Sequence, residues 1–161
     1  MTPRTIAFDE ELNLALFEWI NADAPRTIAT KHIDQALSFL KRLKELANDV
    51  DCEIQEASEA CLSAVQLFSQ VEERISNLES VQNMGLQEFV EVSIKPLWEE
   101  IREWSGSKWP ANSFESKLSG LNQTLSPSDF GFHNSLERSD GSLCFVDFEY
   151  FGRDDPVKLI A

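Results

Sequence analysis

Apolar and polar positions divide the chain into three stretches. Between residues 5 and 20, Leu12, Leu14 and Leu16 alternate with other positions, and Phe17-Glu18-Trp19-Ile20 continues as a mostly apolar run. This predicts one or two short strands with a turn around Asp9-Glu10-Glu11. A polar segment ending at Pro25 breaks the pattern. The middle has helical periodicity. Ala36, Leu37, Phe39, Leu40, Leu43 and Leu46 share one face of a helix predicted over roughly 33–48. Positions from Ile54 through Cys61, Phe68 and Ile75 to Leu78 predict a second, long helix over 52–80, and a third is predicted over about 85–105. Pro96 lies inside that third pattern and should kink it or begin a new helix. A shorter helix is expected at 113–122.

Beyond residue 125 the pattern changes again. Leu125 to Asn134 reads as a loop rich in Ser, Pro, Asp and Gly. Two short apolar-alternating runs follow, Ser135–Glu137 and Leu143–Phe148, with Asp140-Gly141 between them as a hairpin signal.

Composition narrows the function classes. The 161 residues fit one ordinary domain, and 42% hydrophobic with 26% charged residues is a globular balance. There are 28 acidic and 14 basic residues, a net charge of −14, with residues 51–125 carrying 13 acids against 5 bases. Such a surface repels a phosphate backbone, so no nucleic-acid partner is expected, and a cationic small molecule would be favoured. A solvated helical surface tuned for solubility accounts for the same excess. No apolar run approaches a membrane span and acid comes early at Asp9-Glu10, so neither a membrane partner nor a secretory signal is expected and the expected location is cytoplasmic. Cys52, Cys61 and Cys144 lack metal-ligand spacing and read as reduced, buried structural thiols.

The chemistry concentrates in the last stretch. A turn centred between Asp140 and Gly141 would pair residues whose numbers sum to 281, which sets Asn134 opposite Asp147 on the same face. A carboxamide and a carboxylate so placed offer hard oxygen ligands suited to Mg²⁺. A one-residue slip or a three-residue loop would separate them. Asp129 lies five residues before Asn134. Asp-x-x-x-x-Asn followed by a hairpin ending in Asp-Phe is the arrangement of a kinase catalytic loop and metal-binding strand end. Phosphoryl transfer needs one carboxylate to orient the acceptor hydroxyl and take its proton, and oxygen ligands to hold metal ions against the phosphate charge.

Ser126-Pro-Ser-Asp-Phe-Gly-Phe-His-Asn134, Leu143-Cys-Phe-Val-Asp-Phe-Glu-Tyr150 and Asp155-Pro156 resemble the catalytic core of the aminoglycoside phosphotransferase/choline kinase-like family. Phe17-Glu-Trp-Ile20 is similar to the hinge between the two lobes of such proteins. The resemblance implies a protein-kinase-like fold of mainly α (α+β) class, here a helical C-terminal lobe with a small β-hairpin. Residues 1–20 would be a remnant of the N-terminal lobe and hinge, and 21–161 a partial C-terminal lobe. It implies ATP and Mg²⁺ as cofactors and a small hydroxyl compound as acceptor. Asp129 would be the catalytic aspartate, Asn134 and Asp147 the Mg²⁺ ligands, and Glu18, Trp19 and Ile20 would meet adenine through their backbone. Pro127-Ser128 stands where the family usually has His-Gly. Nothing before residue 12 supplies the family's glycine-rich loop, phosphate-binding lysine or its glutamate partner. A truncated kinase is therefore expected, with negligible activity as this chain alone and an apolar face inviting homo-oligomers.

Other readings stand beside these. Asp129 could close an Asx turn on its own backbone, and Asn134 and Asp147 could be a strand-end cap and a solvated carboxylate. His133 could touch substrate or simply face solvent, and His32 has no catalytic partner in view. Trp98, Trp104 and Trp109 are expected to pack the third helix, and Asp154-Asp155-Pro156 to turn into a helix. A non-catalytic, kinase-like interaction or regulatory module is the alternative function.

Overall fold

The computed structural model describes residues 1–12, 14–50, 52–110 and 113–160. The fold is mixed α+β, with helices and small antiparallel sheets. It divides into two compact units, one made of Met1–Ser58 with Leu121–Ala161 and the other of Glu59–Gly120.

The first unit opens with a hairpin of β1 (Thr5–Asp9) and β2 (Leu14–Phe17), as the alternation predicts. Its register runs from Asp9↔Leu14 through Phe8↔Ala15 and Ala7↔Leu16 to Thr5↔Phe17, with a bulge between Thr5 and Ala7. Helix α1 (Thr30–Asp49) follows and begins three residues earlier than its apolar stripe suggests. His32 explains part of that start. Its backbone N–H reaches the Ala29 carbonyl, and its Nδ1 accepts the Ala29 N–H at 3.2 Å, satisfying one of the donors a helix start leaves unpaired. The ring is buried, with Nε2 3.2 Å from Glu137 Oε1.

Ala36, Phe39, Leu43 and Ala47 of α1 form the core with Leu125, Leu143 and Phe145. Leu125 lies on β3 (Thr124–Ser126), which pairs with β6 (Gly152–Asp154), two strands that the loop-like composition does not predict. Gly152 is required where it stands, because a Cβ there would lie 2.3 Å from the Ala57 nitrogen. β4 (Ser135–Glu137) pairs with β5 (Leu143–Phe145). The short α5 (Pro156–Ile160) follows Asp155, whose Oδ1 accepts the Val157 N–H, so the turn into a helix is as expected.

The predicted 52–80 helix is corrected. Helix α2 covers only Ala64–Ser80 and is capped by Ser63, whose Oγ accepts the Gln66 N–H. Residues 55–57 instead pair with β6: Arg153 N–H donates to the Gln55 carbonyl and Ala57 N–H to the Arg153 carbonyl, each at 2.9 Å. Partners distant in sequence override a helical propensity worth only tenths of a kcal/mol per residue, on the order of 0.5. Cys52 is exposed as a result, against the expectation of a buried thiol, while Cys61 and Cys144 are buried and all three are free.

In the second unit α2 is followed by α3 (Met84–Phe89), a π turn (Val90–Ile94) and α4 (Lys95–Lys108). Pro96 has no N–H and its ring crowds the carbonyl one turn earlier. The widened turn, with Lys95 N–H bonded to the Val90 carbonyl, carries the helix into the proline. Trp98 and Phe114 pack edge-on against Phe68, and Trp109 meets Phe114 edge-on but is itself exposed, against the expectation of core packing. Trp104 is 63% exposed, against expectation. The helix predicted at 113–122 is absent among the described residues, where 113–122 is turn and irregular chain.

Candidate functional site

β3 ends at Ser126, whose Oγ accepts the Ser128 N–H at 2.9 Å. Ser128 has φ 70°, and its Oγ donates to the Ser58 carbonyl at 2.5 Å. That left-handed backbone favours glycine. The chain then presents Asp129 with its side chain 62% exposed. Asn134 Nδ2 donates to the Asp129 carbonyl at 3.0 Å and reaches Oδ2 at 3.4 Å, while His133 Nε2 lies 3.3 Å from Oδ1. Both carboxylate oxygens therefore have a nitrogen partner within the loop.

The register prediction is corrected by one residue. Leu136 pairs with Cys144 and Glu137 with Leu143, so partner numbers sum to 280, not 281. The cause is a three-residue loop, Ser139-Asp140-Gly141, closed by Arg138 N–H to the Ser142 carbonyl and Gly141 N–H to the Arg138 carbonyl. Gly141 at φ 79° supplies the left-handed position that such a loop needs. Asn134 consequently accepts the Val146 N–H at its own carbonyl, at 3.0 Å, and Asp147 lies one residue beyond that partner. Asp147 is exposed and has φ 66°, so the chain leaves the ladder there. Unusual backbone of this kind recurs at functional sites.

Both aspartates precede an anchored phenylalanine. Phe130 stacks on Phe39 at 5.8 Å between ring centroids and lies 5.1 Å from Phe145. Phe148 meets the same Phe39 ring edge-on at 6.2 Å. One α1 side chain thus fixes the backbone behind both carboxylates. Their charges also meet at Tyr150. Its hydroxyl is pushed up first by its hydrogen bond to Glu149 and that group's charge, then by burial and the charges of Asp147 and Asp129. Glu149 and Tyr150 belong to this neighbourhood although no spacing rule singles them out.

Asn134 turns its amino group to Asp129, which leaves its Oδ1 free of that contact, and Asp147 offers a carboxylate; a carboxamide oxygen and a carboxylate are donor types a hard cation takes. Among the described residues no three His, Cys, Asp or Glu side chains are placed to hold a metal. An ion here would complete its shell with water and phosphate oxygens, as Mg²⁺ commonly does.

The predicted adenine contacts lie on the irregular segment that follows β2. Glu18 N–H donates to the Arg4 carbonyl at 2.9 Å, and Ala22 N–H to the Ile20 carbonyl at 3.0 Å. Among the described residues, no hydrogen bond engages the Glu18 carbonyl or the Ile20 N–H, an acceptor and a donor two residues apart. The Glu18 carboxylate accepts the Arg4 N–H and lies 3.4 Å from Arg138, and Trp19 is 89% exposed. A pocket of about 290 Å³ lined by Asp34, Gln35, Ser38, Arg138 and Ser142 sits at the turn end of the β4–β5 hairpin, whereas Asn134 and Asp147 lie at its open end. Among the described residues no helix is long and apolar enough to cross a membrane. No family model, curated protein or solved structure matches the chain.

Proposed function

We propose that residues 126–156 form the base-and-metal half of an ATP- and Mg²⁺-dependent phosphotransferase acting on a hydroxyl of a small, cationic compound. The observation that carries this reading is the shared anchoring of Asp129 and Asp147, through Phe130 and Phe148, on the single ring of Phe39, with Asn134 bonded to Asp129. In this reading Asp129 orients the acceptor hydroxyl and takes its proton, held by Asn134 and His133. Asn134 Oδ1 and Asp147 hold Mg²⁺, which when bound neutralises phosphate charge. The Glu18 carbonyl and Ile20 N–H face the adenine edge.

A Mg²⁺·ATP titration followed by thermal unfolding tests it. Ligand at ten times its Kd should add about 1.4 kcal/mol of stability. In a complete enzyme that also carries the phosphate-covering lobe, Asp147→Asn should lose most of that shift, and Asp129→Asn should retain it while abolishing most turnover of an accepted hydroxyl compound. A non-catalytic interaction or regulatory module is the second reading, favoured by the openness of Asp129, since solvent weakens every charge contact made there. It requires no shift with Mg²⁺·ATP at any concentration, and the same titration decides.

A further inference from the structure

The cavity of about 290 Å³ at the turn end of the β4–β5 hairpin plays no part in the phosphotransfer reading. Its walls are held without a ligand. The Gln35 side chain donates to the Gly141 carbonyl at 3.1 Å and accepts the Leu143 N–H at 2.7 Å, which fastens α1 to the chain on either side of Ser142.

Two opposite charges, Asp34 and Arg138, line this cavity and do not pair with each other. The Asp34 carboxylate makes no ion pair or hydrogen bond among the described residues. Arg138 is under-bonded. Its side chain reaches Glu18 Oε1 at 3.4 Å and the Cys144 sulfur at 3.8 Å, both from Nη2, and its Nε and Nη1 engage nothing among the described residues. A charge-assisted N–H···O bond is normally about 2.7–2.9 Å, and a guanidinium can offer a carboxylate two parallel donors. The hydroxyls of Ser38 and Ser142, also in the lining, have given their protons elsewhere, to the Asp34 carbonyl and to Asp140 Oδ1, each at 2.7 Å. What remains to these oxygens is lone pairs, which accept from a donor-rich cation.

We propose that this cavity binds a small zwitterion, a free α-amino acid, with Arg138 taking its carboxylate and Asp34 and the two serine oxygens taking its ammonium. The buried Leu143 in the same lining gives the ligand's side chain an apolar contact. The volume lies at the lower end of ligand sites, which suits a molecule of this size rather than a nucleotide. A ligand with a single charge would leave the opposite charge of the cavity unmatched, so the pair selects a zwitterion over simple anions and simple amines. The site shares no residue with Asp129, Asn134 and Asp147, so this assignment and the phosphotransfer reading fail separately.

Amide NMR spectra of the full chain titrated with L-alanine test the site, with acetate and methylammonium as single-charge controls. Saturable shifts of the Gln35 side-chain amide and the Ser142 N–H are expected in the millimolar range, with each control about tenfold weaker or worse. Arg138→Gln and Asp34→Asn should each weaken L-alanine about tenfold, the loss of one charge-assisted contact. Asp34 is exposed, so Asp34→Asn stays folded and readable even where Arg138→Gln disturbs the hairpin. No saturable shift with L-alanine, a control that binds as tightly as L-alanine, or a folded variant that binds like wild type would each overturn the assignment.

Discussion

Two antiparallel hairpins of the first unit, β1–β2 and β4–β5, have similar apolar content and opposite environments. In β5, Leu143, Cys144 and Phe145 are at most 2% exposed, and Phe145 stacks on Phe39 at 4.6 Å between centroids. In β1–β2, the comparable Phe8 is 70% exposed. Both form antiparallel ladders, β1–β2 with one bulge and β4–β5 without, so strand formation and burial are separate outcomes. What differs is an amphipathic helix: α1 lays its apolar stripe over β5, and β1–β2 has no such cover among the described residues. Burial turns a ribbon into part of a core, and in β4–β5 it also fixes the loop bearing Asp129 and the chain turn at Asp147.

The largest effect should come from removing that cover. Phe39→Ala deletes a ring that is 6% exposed and in contact with Phe130, Phe145 and Phe148. A loss of about 3–5 kcal/mol in urea unfolding is expected. Phe8→Ala should change monomer stability by no more than about 0.5 kcal/mol. Equal losses in the two variants would break the comparison and imply that β1–β2 is packed in solution.

The same contrast explains what was legible in the sequence. Period-two alternation found both hairpins, and the 3.6-residue stripe of α1 found the helix and most of the core. Local pattern could not find β3 and β6, three residues each and paired across a separation of nearly 30 positions. It also misread 52–63 as helix, because the competing partner is Arg153, far along the chain. At the site, the Asp129–Asn134 spacing did bring the two side chains together. The Asn134–Asp147 pairing depended on loop length, which Asp140-Gly141 alone leaves undecided between two- and three-residue turns. Helical and strand periodicity made the α+β combination of elements legible, whereas Phe39 as the common anchor required three-dimensional packing to see.

A middle-sized effect should come from Gly141. Its φ of 79° is the position on which the three-residue loop depends. Gly141→Ala should cost about 1–2 kcal/mol through left-handed strain. The added Cβ would also come within 3.1 Å of Lys31 Nζ, a flexible group that can move away. If the loop instead relaxes to two residues, the register becomes the 281 pairing and Asn134 meets Asp147 directly. Cross-strand amide contacts in NMR spectra distinguish a weakened native ladder from a shifted one.

The smallest effect is electrostatic and confined to the covered hairpin. Glu137 on β4 has its carboxyl held below the ordinary carboxylate value, first by the hydrogen bond from Lys31 and then by that from His32. Lys31 Nζ is 2.7 Å from Oε1 and His32 Nε2 is 3.2 Å, so both tie β4 to the first turn of α1. A carboxyl that is more acidic when folded stabilises the fold above its unfolded value, near 4.5, and that contribution disappears as the pH falls through the still lower folded value. Partial exposure of the Glu137 side chain keeps the contribution small. Melting temperatures of wild type and Glu137→Gln should therefore differ at neutral pH, with wild type higher, and converge once the pH is well below 4.5. Asp140, also held low by the Ser142 hydroxyl and N–H, titrates equally in both proteins and cancels from the difference. A gap that persists unchanged into acid would mean that Glu137 acts through packing rather than charge, and that the α1 cover over β4–β5 owes nothing to this ion pair.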